Sequence, residues 1–104
     1  MKSHRNVNPR SVARAERGLY RAIRSLRSDD ECRRFFSDLC TPAELEALID
    51  RWSVVAHLDD GLPYRRIHEL TGVSVTTIGR VARFLSNGAG GYRVALDRMD
   101  GAAQ

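Results

Sequence analysis

The chain has 104 residues, of which 42% are hydrophobic and 29% are charged, and its formal net charge is +4. These values are ordinary for one globular domain, and no apolar run approaches the roughly 20 residues that a membrane-spanning helix needs. Because the basic N-terminus lacks the apolar core of a secretory signal, the sequence predicts a cytoplasmic protein.

The positive charge is concentrated on either side of an acidic middle. Residues 1–34 carry ten basic and four acidic side chains, residues 35–61 carry one and six, and residues 62–93 carry five and one. This distribution favours contact of the two basic segments with a polyanion. Arginines that merely solvate helix surfaces would give the same counts, so charge alone leaves the partner open.

The first part of the chain is predicted to be an arm followed by a helix. Residues 1–9 show no hydrophobic periodicity, which is typical of a flexible basic arm. A single all-helical domain is predicted over residues 10–100. From about Arg10 to Arg27, apolar residues recur at helical spacing and arginines occupy another face of the same helix.

Two capping signals mark the next helices. Ser28 with Glu31 predicts a capping box, and the helix that follows is expected to bury an apolar stripe from Cys32 to Cys40. Thr41 followed by Pro42 predicts the start of a third helix, because proline is favoured at the first helical position. The residues expected to be buried in that third helix are Leu45, Leu48, Ile49, Trp52, Val55 and Ala56.

The sequence offers no catalytic or metal site. Cys32 and Cys40 do not form a metal site alone, and the three histidines lie at no ligand spacing to them. On one helix the two cysteines would be too far apart for a disulfide, so both are expected to be small buried hydrophobic residues. There is no glycine-rich phosphate loop and no nucleophile paired with a base, so an enzymatic function finds no support.

The second basic segment predicts a helix-turn-helix over residues 63–86. Its first helix is expected over Pro63–Leu70, and its second begins after the cap Ser74 and reaches about Ser86. Gly72 supplies the tight turn between them because glycine adopts a positive φ without strain. The residues expected to interlock the two helices are Ile67, Leu70, Val73, Ile78, Val81 and Leu85. A short final helix, Tyr92–Met99, completes an all-α chain of six helices.

The helix after Ser74 has the pattern of a DNA-recognition helix. Thr77 stands three residues after the cap, where the second and third helices carry glutamate, so this helix end keeps its positive dipole for an anion. Arg80 and Thr76 are predicted to contact base edges, and Arg65, Arg66 and Arg83 to contact phosphates. Gly79 is expected to let the backbone approach DNA closely. The complete predicted DNA-binding set is Arg65, Arg66, Ser74, Val75, Thr76, Thr77, Gly79, Arg80 and Arg83.

One residue departs from the usual pattern of this motif. His68 lies four residues before the turn glycine, where the two helices touch and a small side chain is usual. Two outcomes are open: the imidazole tilts outward, or the helices cross at a wider separation.

These motifs together resemble the tryptophan repressor superfamily, and more closely its short bacterial branch of YerC/YecD-type proteins. The resemblance rests on the run Thr41–Leu48, on Arg51 and Gly61, and on Gly72 to Arg80, with further similarity at 34–41 and 85–92. It implies an intertwined homodimer whose two recognition helices enter successive major grooves, about 34 Å apart, of a two-fold symmetric operator.

The resemblance also implies a ligand pocket framed by Thr41, Arg51 and Arg80. Val81 and Phe84 stand where the family has a glycine and a serine, and both fill space that an indole would need. Tryptophan is therefore not expected to bind and no cofactor is predicted, but the sequence leaves open whether another small-molecule corepressor gates binding.

Two functions of different class follow. The first is a homodimeric DNA-binding transcriptional regulator, a repressor that acts by occupying its operator. The alternative is a helix-turn-helix interaction module that docks on the transcription machinery with little DNA specificity. A preferred duplex sequence would separate the first from the second.

Overall fold

The computed structural model describes residues 8–103, and the side chains of residues 8–100. Over this range the chain is all-α, as predicted, with six helices and no strand. The predicted basic arm lies outside the described residues except for its last two positions. The helices are α1 (Pro9–Ser25), α2 (Asp29–Leu39), α3 (Pro42–Asp59), α4 (Tyr64–Thr71), α5 (Val75–Asn87) and α6 (Gly91–Ala103).

The helices fall into two compact units. The first extends to Thr41 and contains α1 and α2, whereas the second begins at Pro42 and contains α3 to α6. The single domain expected over residues 10–100 therefore stays a prediction. None of the described helices combines the length and the apolar character required to cross a membrane.

Local caps define the helices of the first unit. The side chain of Asn8 accepts a hydrogen bond from the Arg10 amide at 2.7 Å, so α1 begins at Pro9, one residue earlier than predicted. At α2, Ser28 Oγ accepts from the Glu31 amide at 3.1 Å, which confirms the predicted cap. The Glu31 carboxylate accepts from the Arg27 amide rather than from Ser28, so the return bond reaches one residue further back.

The apolar stripes of α1 and α2 are not covered within one chain. Neither helix contains a buried residue. The prediction of a buried stripe on α2 is wrong for the single chain, because Cys32, Phe35, Phe36 and Cys40 are half-buried and Leu39 is exposed. Amphipathic spacing identifies the apolar face of a helix, but burial requires a second surface to cover that face.

The core of the second unit lies where α4 and α5 pack on the C-terminal half of α3. Val55 is buried as predicted, and its neighbour Val54 is buried with it. Contrary to prediction, Leu48, Ile49, Trp52 and Ala56 are exposed and Leu45 is half-buried. All of these except Ala56 precede the part of α3 that carries this core. The buried core residues are Val54, Val55, Ile67, Val73, Ile78, Val81 and Leu96.

The last helix, α6, is attached to α3 by an aromatic and an ionic contact. The Tyr92 ring lies 6.3 Å from the Trp52 ring, centroid to centroid. Arg93 donates a hydrogen bond from Nη2 to Asp59, the last residue of α3, and a weaker one from Nη1 to Asp97. The helix is longer than predicted and starts at Gly91.

Candidate nucleic-acid interface

The turn between α4 and α5 is held by hydrogen bonds from its own residues. Gly72 has φ +75°, as the turn requires, and its amide donates to the His68 carbonyl at 2.8 Å. Thr71 Oγ1 donates to the Ile67 carbonyl at 2.7 Å and accepts from the Val73 amide at 3.1 Å. Since these bonds close within seven residues, the sequence around the turn determines its geometry locally.

His68 belongs to the same set of bonds. Its imidazole is exposed, and Nδ1 donates to the Val73 carbonyl at 2.7 Å. A carbonyl only accepts, so the proton resides on Nδ1 in this arrangement. Of the two outcomes left open by the sequence, the structure shows the outward imidazole, which ties the end of α4 to the residue that precedes the cap of α5.

Apolar residues interlock the two helices largely as predicted. Ile67, Val73, Ile78 and Val81 are buried, and Leu85 packs partly against them. Leu70, which was expected in this cluster, is 49% exposed. The reason is that the packing covers only the face of α4 that carries Ile67.

The N-terminus of α5 is capped by a hydroxyl and has no acidic residue in its first turn. Ser74 Oγ accepts from the Thr77 amide at 3.1 Å and donates to Thr77 Oγ1 at 3.0 Å. The hydroxyl proton of Ser74 is therefore engaged, whereas that of Thr77 remains a donor for a ligand. The first turn of α4 also lacks acidic residues, in contrast to those of α2 and α3.

Three of the predicted contact residues share one exposed side of α5. Thr76, Arg80 and Arg83 follow at intervals of four and three residues, and all are exposed. Ser74 and Val75 are exposed beside them. Thr77 and Gly79 are half-buried.

Position 79 faces α4 as well as solvent. A Cβ atom built on Gly79 would lie 3.9 Å from Tyr64 Cε2, which is an ordinary van der Waals distance. The glycine therefore leaves space between the two helices, in addition to the close backbone approach to DNA predicted for it.

The two arginines at the start of α4 differ in their partners. Arg65 is exposed and has no ion pair among the described residues. Arg66 Nη1 lies 3.4 Å from Glu69 Oε1, with both side chains more than half exposed. An exposed pair of this kind is worth at most about 1 kcal/mol, so a phosphate competes with it readily.

One aromatic residue on α5 has contacts that sequence reasoning did not identify. The guanidinium carbon of Arg80 lies 4.8 Å from the centroid of the Phe84 ring, and that of Arg83 lies 5.6 Å from it. The spacing of four residues between Arg80 and Phe84 is the signal that was available, since such residues are neighbours on a helix.

The residues of the expected ligand pocket lie on three different segments. Thr41 ends the first unit, Arg51 is half-buried on α3, and Arg80 is exposed on α5. Neither arginine has an ion pair with any described residue. Val81 is buried in the core.

Metal ligands are not clustered in the part of the chain that the structure describes, where no three His, Cys, Asp or Glu side chains come together. Cys32 and Cys40 are both free thiols.

Comparison with known proteins gives consistent matches over most of the chain. The Trp repressor protein family matches residues 17–100. The uncharacterized protein YerC of Bacillus subtilis (strain 168) is 44% identical over 81 residues, which span 78% of each protein.

Two crystal structures share the fold. A candidate Trp repressor from Staphylococcus aureus superposes with a TM-score of 0.78 at 40% identity, covering 83% of this chain and 86% of that one. A TrpR-like protein from Eubacterium eligens ATCC 27750 gives 0.79 at 39% identity, covering 84% and 90%. The chain with the helix-turn-helix described above belongs to the Trp repressor family, a regulatory family of DNA-binding proteins and not of enzymes.

Proposed function

We propose that the protein is a sequence-specific transcriptional repressor that binds a two-fold symmetric operator as a homodimer. The observation that carries the proposal is the exposed face of α5, where Thr76, Arg80 and Arg83 stand beside a helix end free of acidic residues. An α-helix fits a major groove about 12 Å wide, and arginine matches the paired acceptors of a guanine edge.

Three arginines of the helix-turn-helix, one on α4 and two on α5, are available to DNA. Arg65, Arg80 and Arg83 have no carboxylate partner among the described residues, so contact with DNA breaks no ion pair of theirs. In this proposal Arg80 and Thr76 contact base edges, whereas Arg65, Arg66 and Arg83 contact phosphates. Thr77 contributes its free hydroxyl proton, and the exposed amides at the start of α5 add to the positive field.

Exposed apolar residues support the homodimer. Leu19, Tyr20 and Ile23 on α1, and Leu48 and Ile49 on α3, are all exposed in the single chain. Leu19 and Ile23 lie four residues apart on one face of α1, and an exposed apolar helix face is typical of a surface that another protein covers. A second copy of the chain supplies two α5 helices, and the two-fold symmetry of the dimer then appears in the operator.

Binding in this proposal does not require tryptophan. Val81 is part of the core and the Phe84 ring lies against Arg80, so both occupy space at the position where the family resemblance places a ligand.

Selection of preferred sites from a random duplex pool, with and without tryptophan, tests the function. We expect the same enriched site in both pools, with two symmetric halves centred about 10 base pairs apart. Absence of enrichment in both pools would contradict sequence-specific binding and favour the interaction module that docks on the transcription machinery. Enrichment only with tryptophan would contradict the ligand independence.

A further inference from the structure

The Phe84 ring is shared by two arginines of the recognition helix. Arg80 and Arg83 both place their guanidinium carbon within 6 Å of its centroid, at 4.8 and 5.6 Å, which is within the range of a cation–π attraction. The ring is 42% exposed, so it lies at the surface beside the arginines and not in the core. Together with Tyr92, Ala89 and Gly91, it lines an open hollow of about 320 Å³.

An aromatic ring and a carboxylate differ in how many N–H donors of an arginine they leave free for another partner. A carboxylate accepts hydrogen bonds from the guanidinium N–H groups and has to be displaced before those groups bind DNA. The face of a phenyl ring attracts the charge and accepts N–H groups only weakly, so it competes far less with a phosphate or a base for the five guanidinium donors. Arg80 and Arg83 are thus restrained on α5 with no carboxylate partner in the described part of the chain that DNA would have to displace.

Restraint before binding affects affinity because a free arginine loses rotamer freedom when it binds. Immobilising a side chain with many rotamers at an interface has a free-energy cost that weakens binding. When the guanidinium group rests on a ring, part of this rotamer freedom is already lost in the free protein, before DNA binds. The ring itself needs no contact with DNA for this effect.

We propose that Phe84 is a positioning residue of the DNA interface, which holds Arg80 and Arg83 over its ring in the free protein and thereby raises affinity for the operator. This inference rests on the proposed DNA-binding function. Phe84 is not among the predicted DNA-contact residues. Its effect on affinity depends on the attraction between the guanidinium charges and the ring.

The test compares four proteins on the operator recovered by selection: the wild type, Phe84→Leu, Phe84→Tyr and a protein with pentafluorophenylalanine at position 84. The fluorinated ring keeps nearly the same shape but has a reversed face charge, so it separates electrostatics from packing. The strength of a cation–π contact at an exposed site limits the restraint that it provides, so losing the contact should lower affinity by at most about two- to five-fold per arginine. We expect a loss of that order for the leucine and fluorinated proteins, and affinity close to the wild type for tyrosine.

A measurement without DNA checks the contact itself. In the free wild type, the δ-proton resonances of Arg80 and Arg83 should be shifted upfield by the ring current, and Phe84→Leu should remove the shift. Thermal unfolding of all four proteins controls for loss of fold.

The possible failures are distinguishable. If the wild type prefers no duplex sequence, the proposed function fails. If it binds a preferred site and both the leucine and fluorinated proteins bind that site as tightly, only the role of Phe84 is overturned. A loss confined to the leucine protein would also overturn it, because the ring would then act through packing.

Discussion

At the scale of single residues, the two helices of the motif present arginines in different settings. Arg80 stands in the middle of the exposed face of α5, next to Thr76, whereas Arg65 stands at the start of α4. A side chain that contacts a base edge discriminates between sequences, but one that contacts a phosphate does not. The two positions should therefore differ in the kind of binding they support.

Replacing each arginine by alanine tests this difference. Arg80→Ala should cost about 1–3 kcal/mol on the selected operator and should relax sequence preference. Arg65→Ala should weaken binding to all duplexes alike and reduce the dependence of log K on log salt by about one unit. Titrations of operator and random duplex at several salt concentrations measure both effects. Equal losses for Arg80→Ala on the two duplexes would identify it as a phosphate contact.

Sequence reasoning was most successful for residues whose role is local. Ser28 and Ser74 cap the helices they were predicted to cap, and Gly72 has the predicted positive φ, because each depends on a few neighbouring residues. The position of the Phe84 ring was not predicted, since it depends on the rotamers that three side chains adopt together. The bond from His68 to Val73 likewise required the geometry of the completed turn.

At the scale of elements, two glycines of the motif should respond in opposite directions to the same substitution. No atom lies within 4 Å of a Cβ built at Gly72, so Gly72→Ala costs only the left-handed conformation, roughly 1–2 kcal/mol of unfolding free energy. Gly79 is helical and has space for a methyl group, so Gly79→Ala should stabilise by up to about 1 kcal/mol. Urea unfolding at one protein concentration measures the change in unfolding free energy for both variants. A Gly72→Ala protein as stable as the wild type would contradict the turn geometry.

The link between α3 and α6 should make stability depend on pH. The hydrogen bond from Arg93 holds the pKa of Asp59 below its ordinary value of 3.8, and partial desolvation opposes this only in part. The folded state thus binds a proton less readily than the unfolded state. The stabilisation is complete above the unfolded pKa, near 4, and is lost as pH falls through the lower pKa of the folded state.

Unfolding of the wild type and Asp59→Asn between pH 7 and pH 2 measures this contribution. The stability difference between them should stay constant down to about pH 5 and change progressively below about pH 4, in the direction that removes the advantage of the wild type. Asp60→Asn is the matched control, because Asp60 is an exposed neighbour without an ion pair among the described residues. An unchanged difference at low pH would contradict the role of the Arg93 contact.

At the scale of the whole molecule, burial was the property that the sequence predicted least well. The apolar residues of α1, α2 and the first half of α3 lie at the predicted helical spacing, yet none of them is buried in one chain, where they are half-buried or exposed. Spacing identifies which face is apolar, but the surface that covers it is not local information. The core of the second unit was predicted better, because α4 and α5 are joined by a short turn and pack on each other.

The exposed apolar residues lead to a prediction about the molecular mass of the protein in solution. In light scattering after size exclusion, the protein should have twice the 11.7 kDa of one chain. Ile49→Asp should shift it toward the monomer, because Ile49 is 58% exposed on α3 and a carboxylate would be desolvated in an interface. Val75→Asp is the control: it changes a comparably exposed residue at the start of α5, so it should reduce DNA binding and leave the mass unchanged. A monomeric wild type at micromolar concentration would contradict the homodimer.

The central claim is that two α5 helices enter successive major grooves of one operator, and methylation interference tests it most directly. Dimethyl sulfate modifies guanine N7 in the major groove and adenine N3 in the minor groove. On the selected operator, we expect modified guanines to block binding in two clusters about 10 base pairs apart, placed symmetrically about its centre. Interference confined to adenine N3, or binding that tolerates every modified guanine, would contradict major-groove recognition by α5.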